Sequence, residues 1–187
     1  MKLKDLGEIK VGSVVDRITD EKGTLFQVLT LKSVDNNGFF TNDFNVVKIT
    51  QKSIPKLALA QRGDIIFKMT APYRTYVVDE SLEGMVVSSH YGHFKVDEQY
   101  DPYYVVIVLN DVIERFKKID NIRIISRISV GNISNELIQL DKEDKQHLKA
   151  NLMKNLIKLK TLNLELEKQN EIYQQYVINK LKGSNNE

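Results

Sequence analysis

Two pairings in this 187-residue chain have the residue types of a metal-dependent nuclease, a carboxylate beside a lysine: Asp64 with Lys68 and Glu143 with Lys145. Neither reads as a catalytic centre. Asp64 follows Arg62-Gly63, a sharp turn into an apolar run, so it reads as a turn aspartate with Lys68 facing solvent. Glu143 stands with Asp141 and Asp144 where a helix begins, and negative charge there complements the helix dipole. His90 and His93 are two residues apart but lack a cysteine or carboxylate to complete a metal site, so they read as a surface-loop histidine and an exposed one. Cysteine is absent, which excludes thiolate zinc sites, cysteine nucleophiles and disulfide scaffolds. The nine glycines form neither a dinucleotide fingerprint nor a phosphate loop, and no serine sits in a nucleophile elbow. The residues therefore argue against an enzyme and leave no cofactor or metal expected on the chain.

Binding chemistry is better represented. Residues 68–74 place Lys68 and Arg74 around Thr70, Pro72 and Tyr73, between two apolar runs. Such a loop suits Arg74 against guanine or phosphate and Tyr73 against a sugar or base. Residues 87–92, with Ser89 and His90, are a second polar segment, and 126–132, with Arg127 and Asn132, a third. Each alone reads as a solvated loop. Three in one domain favour recognition over catalysis.

These loops need a scaffold. The chain is 42% hydrophobic and 28% charged, ordinary globular composition of about one domain. Nine lysines and seven acidic residues lie in 141–187, leaving eighteen of each sign before residue 141. A neutral globular part does not grip a polyanion by bulk charge, so nucleic-acid binding needs a local patch or partner subunits. The β-branched, apolar runs at 24–34, 46–50, 64–68, 76–78, 85–87 and 122–126 predict strands, and Asn36-Asn37-Gly38 a turn. Asp101 and Pro102 begin a helix with Tyr104, Val105, Val108, Leu109, Val112, Ile113 and Phe116 on one face.

Composition shifts at residue 141. From 142 to 182 there is no Pro or Gly, which predicts one helix of about 60 Å. Leu152, Leu159, Leu166 and Tyr173 take one heptad position; Leu148, Leu162 and Tyr176 take the other, with Asn155 and Gln169 as its polar members. A helix this long outreaches a 140-residue domain, about 14 Å in radius of gyration. Its stripe therefore needs a partner helix, and a second copy is the simplest one; an ordinary long core helix is the other reading. The expected class is α+β, with a mixed α/β recognition domain over 1–140 and a long C-terminal helix over 141–187 that pairs with another copy. No run is long and apolar enough to span a membrane, and the N-terminus has Asp5 and Glu8 where a signal peptide is apolar. With no cysteine, a cytoplasmic protein is expected.

The order of these features resembles a half-length specificity subunit of a type I restriction–modification enzyme. The likeness rests on Leu-Lys-Asp-Leu-Gly-Glu-Ile-Lys-Val-Gly at 3–12, Leu-Ala-Gln-Arg-Gly-Asp-Ile-Ile-Phe at 59–67, the Asp-Pro-Tyr-Tyr helix start at 101–104, Gly-Asn-Ile-Ser at 131–134 with Leu137, and Gln146 before Leu148. It spans nearly the whole chain through degenerate motifs, and order and spacing carry it. One departure is Leu-Asp-Lys-Glu-Asp at 140–144, where the family has a Leu-Pro-Pro type stretch between domain and helix.

The resemblance implies a non-catalytic subunit that reads one half of a split target in double-stranded DNA. Its helix would set the spacing and dock a DNA methyltransferase subunit, which holds S-adenosylmethionine and methylates adenine; a restriction subunit is a further implied partner. The expected DNA contacts are Lys68, Thr70, Tyr73, Arg74, Ser89, His90, Arg127 and Asn132. The expected dimer contacts are Leu148, Leu152, Leu159, Leu162, Leu166, Tyr173 and Tyr176. A homodimer would read an interrupted palindrome. The competing expectation is a coiled-coil protein–protein module, a decoy or assembly factor of such a system, that does not bind DNA.

Overall fold

The computed structural model describes residues 1–34, 40, 44–120 and 127–183. The predicted strand at 122–126, the Asn36-Asn37-Gly38 turn and the tail beyond 183 lie outside them. Two small sheets form the domain. In the first, β1 (Gly7–Val11), β7 (Tyr91–Val96), β4 (Ile65–Lys68) and β5 (Thr75–Val77) are neighbours in that order, all antiparallel. In the second, β2 (Thr19–Leu29) lies between β3 (Asn45–Ile49), antiparallel to it, and β6 (Val86–Val87), parallel to it.

Period-two alternation gives the first sheet two buried faces. Ile65, Phe67 and Phe94 face one way, onto α1 (Pro102–Asp120), and share a core with Leu3, Leu6, Val105, Leu109, Val112 and Ile133. Ile66 and Tyr91 face the other way and pack with Leu29, Val78, Leu82 and Val87. Each such side chain contributes about 1.5–3 kcal/mol by leaving water. Phe67 lies over Gly92 of β7, where a Cβ would overlap its ring, so glycine is required by close packing. Asp101 caps α1 as its sequence predicts, its Oδ1 accepting the Tyr103 amide at 2.8 Å.

Some expectations need correction. β2 runs from Thr19 to Leu29 rather than over 24–34, because a 3₁₀ turn at Leu31–Ser33 takes over. β1 and β7 were not foreseen. His93 is buried, not exposed: its Nε2 is 2.6 Å from Asp64 Oδ2, and the side chains are 5% and 9% exposed. An aspartate that also takes the Gln61 amide at 3.0 Å, in the turn where Gly63 has φ +89°, fixes the imidazole inside the sheet. A short helix, α2 (Val130–Ser134), leads toward the long helix α3 (Glu143–Gly183), which matches its predicted span to one residue at each end.

Candidate nucleic-acid interface

Lys68 ends β4 and Tyr91 opens β7, and the two are register partners. The segment leaving one strand and the segment arriving at the other therefore meet at one end of the sheet. Met69 ties them together. Its amide donates to the His90 carbonyl at 3.3 Å, and its own carbonyl accepts the Ile128 amide at 2.8 Å. Arg127 closes the junction: its Nη2 donates to the Ser89 carbonyl at 2.6 Å and lies 4.0 Å from Met69 Sδ. The three polar segments converge on one backbone position.

Their charge is one-sided. Residues 68–74, 88–92 and 127–132 contain Lys68, Arg74 and Arg127 and no carboxylate. A domain neutral overall thus concentrates three cations at one end of a rigid sheet. His90 and Arg127 are exposed, as are Ala71 and Pro72 at the loop tip; Lys68, Thr70, Arg74 and Ser89 are half-buried. Arg74 is partly committed: Nη1 donates to the Tyr73 carbonyl at 3.3 Å, and Nε is closed off from solvent with no acceptor among the described residues.

Two expected contacts fall elsewhere. Tyr73 is 9% exposed and packs into the core, with Lys117 Nζ 5.8 Å from its ring centroid, so its face is not offered to a base. The loop buries its one aromatic because a phenol ring brings more apolar area to the core than any other residue it has. Asn132 sits on α2, which packs on β1; it is exposed, and its carbonyl takes the Asn135 amide at 3.2 Å. Among the described residues no three metal-ligating side chains cluster, and no helix is long and apolar enough to cross a membrane.

The second element that sequence singles out is α3. Ala150 and Met153 pack its first turns onto the domain. Leu148, Leu152, Leu159, Leu162, Leu166, Tyr173 and Tyr176 face away and are 51–66% exposed. At the elbow, Asp141 bonds to both helices. Its amide donates to Tyr104 Oη at 2.9 Å, and that hydroxyl donates back to Asp141 Oδ2 at 3.1 Å. Lys149 Nζ reaches the same carboxylate at 2.5 Å, and Gln146 Nε2 donates to the Asp141 carbonyl at 2.8 Å. The lysine contact holds the Asp141 carboxyl below the ordinary carboxylate range and raises Lys149 in turn. Burial raises the Tyr104 phenol, which keeps it a donor. Sequence reading missed this elbow, whose partners lie 37 and 8 residues from Asp141. A cleft of about 450 Å³ beside it runs between α1 and residues 137–141.

No protein-family model matches the chain, and no curated protein matches it. Solved structures do. The HsdS subunit from Thermoanaerobacter tengcongensis superposes with a TM-score of 0.58 at 19% identity, over 92% of this chain and 46% of that one. A chain from a structural study of complex assembly and conformational transition in the type I R-M system gives 0.58 at 17% identity, over 95% and 47%. The chain has the fold of one half of a type I specificity subunit. It spans about half the length of the chains it matches. In this half-subunit fold the three-loop junction lies on the globular part, and α3 is its single long helix.

Proposed function

We propose that this chain is the DNA sequence-recognition subunit of a type I restriction–modification complex and has no catalytic role of its own. The observation that carries the reading is the three-loop junction: three polar, carboxylate-free segments locked together at Met69 on a half-subunit fold. Lys68, Arg74 and Arg127 supply cations for phosphates and guanine edges, and His90 and the Ala71–Pro72 tip stand exposed beside them. Methylation, with its S-adenosylmethionine, belongs to a partner methyltransferase subunit, and any cleavage to a restriction subunit. Such a complex works on DNA in the cytoplasm.

Two copies make the functional unit. The chain matches about half the length of its structural neighbour and exposes a helical stripe about four heptads long. A two-fold dimer through that stripe covers it and gives an assembly of two domains and two helices, about the length of one such neighbour. Two identical readers related by a two-fold axis select identical, inverted half-sites. With helices of about 60 Å and about 34 Å per DNA turn, half-site centres fall roughly one to one and a half turns apart, an interrupted palindrome.

The test is the methylome of cells carrying this chain and its methyltransferase subunit, together with duplex retention by the purified assembly. An interrupted palindrome that disappears when the chain is deleted is the expected result. An asymmetric or uninterrupted motif for this chain acting alone would overturn the homodimeric ruler. Dimers that hold the methyltransferase yet retain no duplex would favour the coiled-coil module instead.

A further inference from the structure

The elbow has a mechanical problem to solve. If α3 spaces two reading domains, any swing where it leaves the domain is multiplied along its length. A swing of about 10° moves the far end of a helix of about 60 Å by about 10 Å, or about three base pairs at about 34 Å per turn. A recognition complex with one spacer length needs this joint stiff to a few degrees.

Apolar packing at the joint is thin. Leu140 just before Asp141 and Met153 on the helix are partly buried against the core and Ala150 is buried, while the helix beyond them is almost entirely exposed. A short apolar footing fixes position better than angle. The polar contacts supply direction. Asp141 joins Tyr104 of α1 through its amide and its carboxylate, and joins the first two turns of α3 through Gln146 and Lys149. Tyr104 is 2% exposed and belongs to the rigid body of the domain. Farther along, Lys154 Nζ lies 5.7 Å from the Tyr103 ring centroid, a second strap between the same two helices. No proline braces 140–144, so these bonds hold the angle.

We infer that Asp141 is a positioning residue for target spacing: with Tyr104 and Lys149 it locks the angle at which α3 leaves the domain and so fixes the distance between half-sites. The inference rests on the recognition-subunit reading for its consequence on DNA, and on the elbow geometry alone for its consequence on shape. The hydroxyl of Tyr104 and the ammonium of Lys149 are the levers. Tyr104→Phe keeps the buried ring and removes both hydroxyl bonds; Lys149→Met keeps the stem and removes the cation. Neither residue belongs to the three-loop junction.

The experiment uses the full chain assembled with its methyltransferase subunit and a set of duplexes with constant half-sites and spacers varied one base pair at a time. The wild type is expected to methylate one spacer at least tenfold better than its neighbours. Tyr104→Phe/Lys149→Met should cut that preference below about threefold and spread methylation over spacers up to three base pairs away, with half-site choice unchanged. Lys149→Arg should keep the wild-type profile. Small-angle scattering of the free chain reads the joint directly, and the double variant should broaden the distribution of domain-to-helix distances at unchanged helicity. A double variant with wild-type spacer selectivity, or with a wild-type scattering profile, overturns the inference. Loss of all sequence-dependent methylation by the wild type would instead strike the recognition reading, and scattering then decides the elbow by itself.

Discussion

His93 Nε2 and Asp64 Oδ2 stand 2.6 Å apart inside the first sheet, so the aspartate that most resembled a nuclease ligand is committed to a structural bond. Removing either partner leaves a buried polar or charged group without its complement. His93→Ala or Asp64→Ala should cost about 1–3 kcal/mol, read as a lower urea midpoint at unchanged slope. A loss below about 1 kcal/mol in both would show the pair to be dispensable.

The exposed stripe predicts its own failure. Leu159 and Leu162 are each more than half exposed in the single chain. Replacing both with Asp places unpaired charges in the proposed dimer seam, at about 3–5 kcal/mol each. The variant should run as a monomer by light scattering with its domain still folded, whereas a wild type that stays monomeric at micromolar concentration contradicts the pairing.

At the three-loop junction, Lys68 and Arg74 should separate by behaviour. Lys68→Ala should weaken the assembled complex on all sequences alike and lower the salt slope by about one. Arg74→Ala or Arg127→Ala should cost about 1–3 kcal/mol on the true target and relax choice at one position. Thermal midpoints should barely move for Lys68→Ala, a change on a half-exposed cation. If all three variants keep wild-type affinity and sequence choice, the reading surface is elsewhere.

Tyr91 gives a pH test. Its hydroxyl donates to the Thr30 carbonyl at 3.0 Å, and burial pushes the phenol up to about 12. The unfolded phenol ionises near pH 10 while the folded one stays neutral, so this contribution is whole below pH 10 and is lost as pH rises to about 12. Denaturant titrations from pH 9 to 12 should show about 2–3 kcal/mol lost, and Tyr91→Phe should remove most of that slope. A flat profile in the wild type would place the phenol in water.

Sequence reading succeeded where one periodicity ruled. α3 is legible because 41 residues repeat without Pro and end at Gly183, and α1 because Asp101-Pro102 sets its start. β7 was lost because Ser89, His90, Gly92 and His93 read as a polar loop, although Tyr91/His93 and Gly92/Phe94 alternate between two covered faces. The residue types of the junction were visible, but its convergence depends on the backbone of Met69, which no side-chain pattern records. Tyr73 misled because a loop aromatic serves a core as readily as a base. The elbow was hidden because Tyr104 already had a role on the apolar face of α1, and its hydroxyl added a second.

The stitching of the first residues to residues 136–138 has a consequence for how the chain is made. The Leu3 amide donates to the Glu136 carbonyl at 3.0 Å, the Ile138 amide to the Met1 carbonyl at 3.0 Å, and Leu3 and Leu6 are buried in one core with Ile133. At about 5–20 residues per second, a nascent chain waits roughly 7–28 s between making Leu3 and making the backbone at 136–138 that bonds to it. Throughout that interval the apolar stripe of α3 does not exist, because the ribosome has yet to translate it. By the time α3 follows, both sides of this backbone stitch have been made, so its apolar stripe first appears on a chain able to close Leu3 and Leu6 into their core.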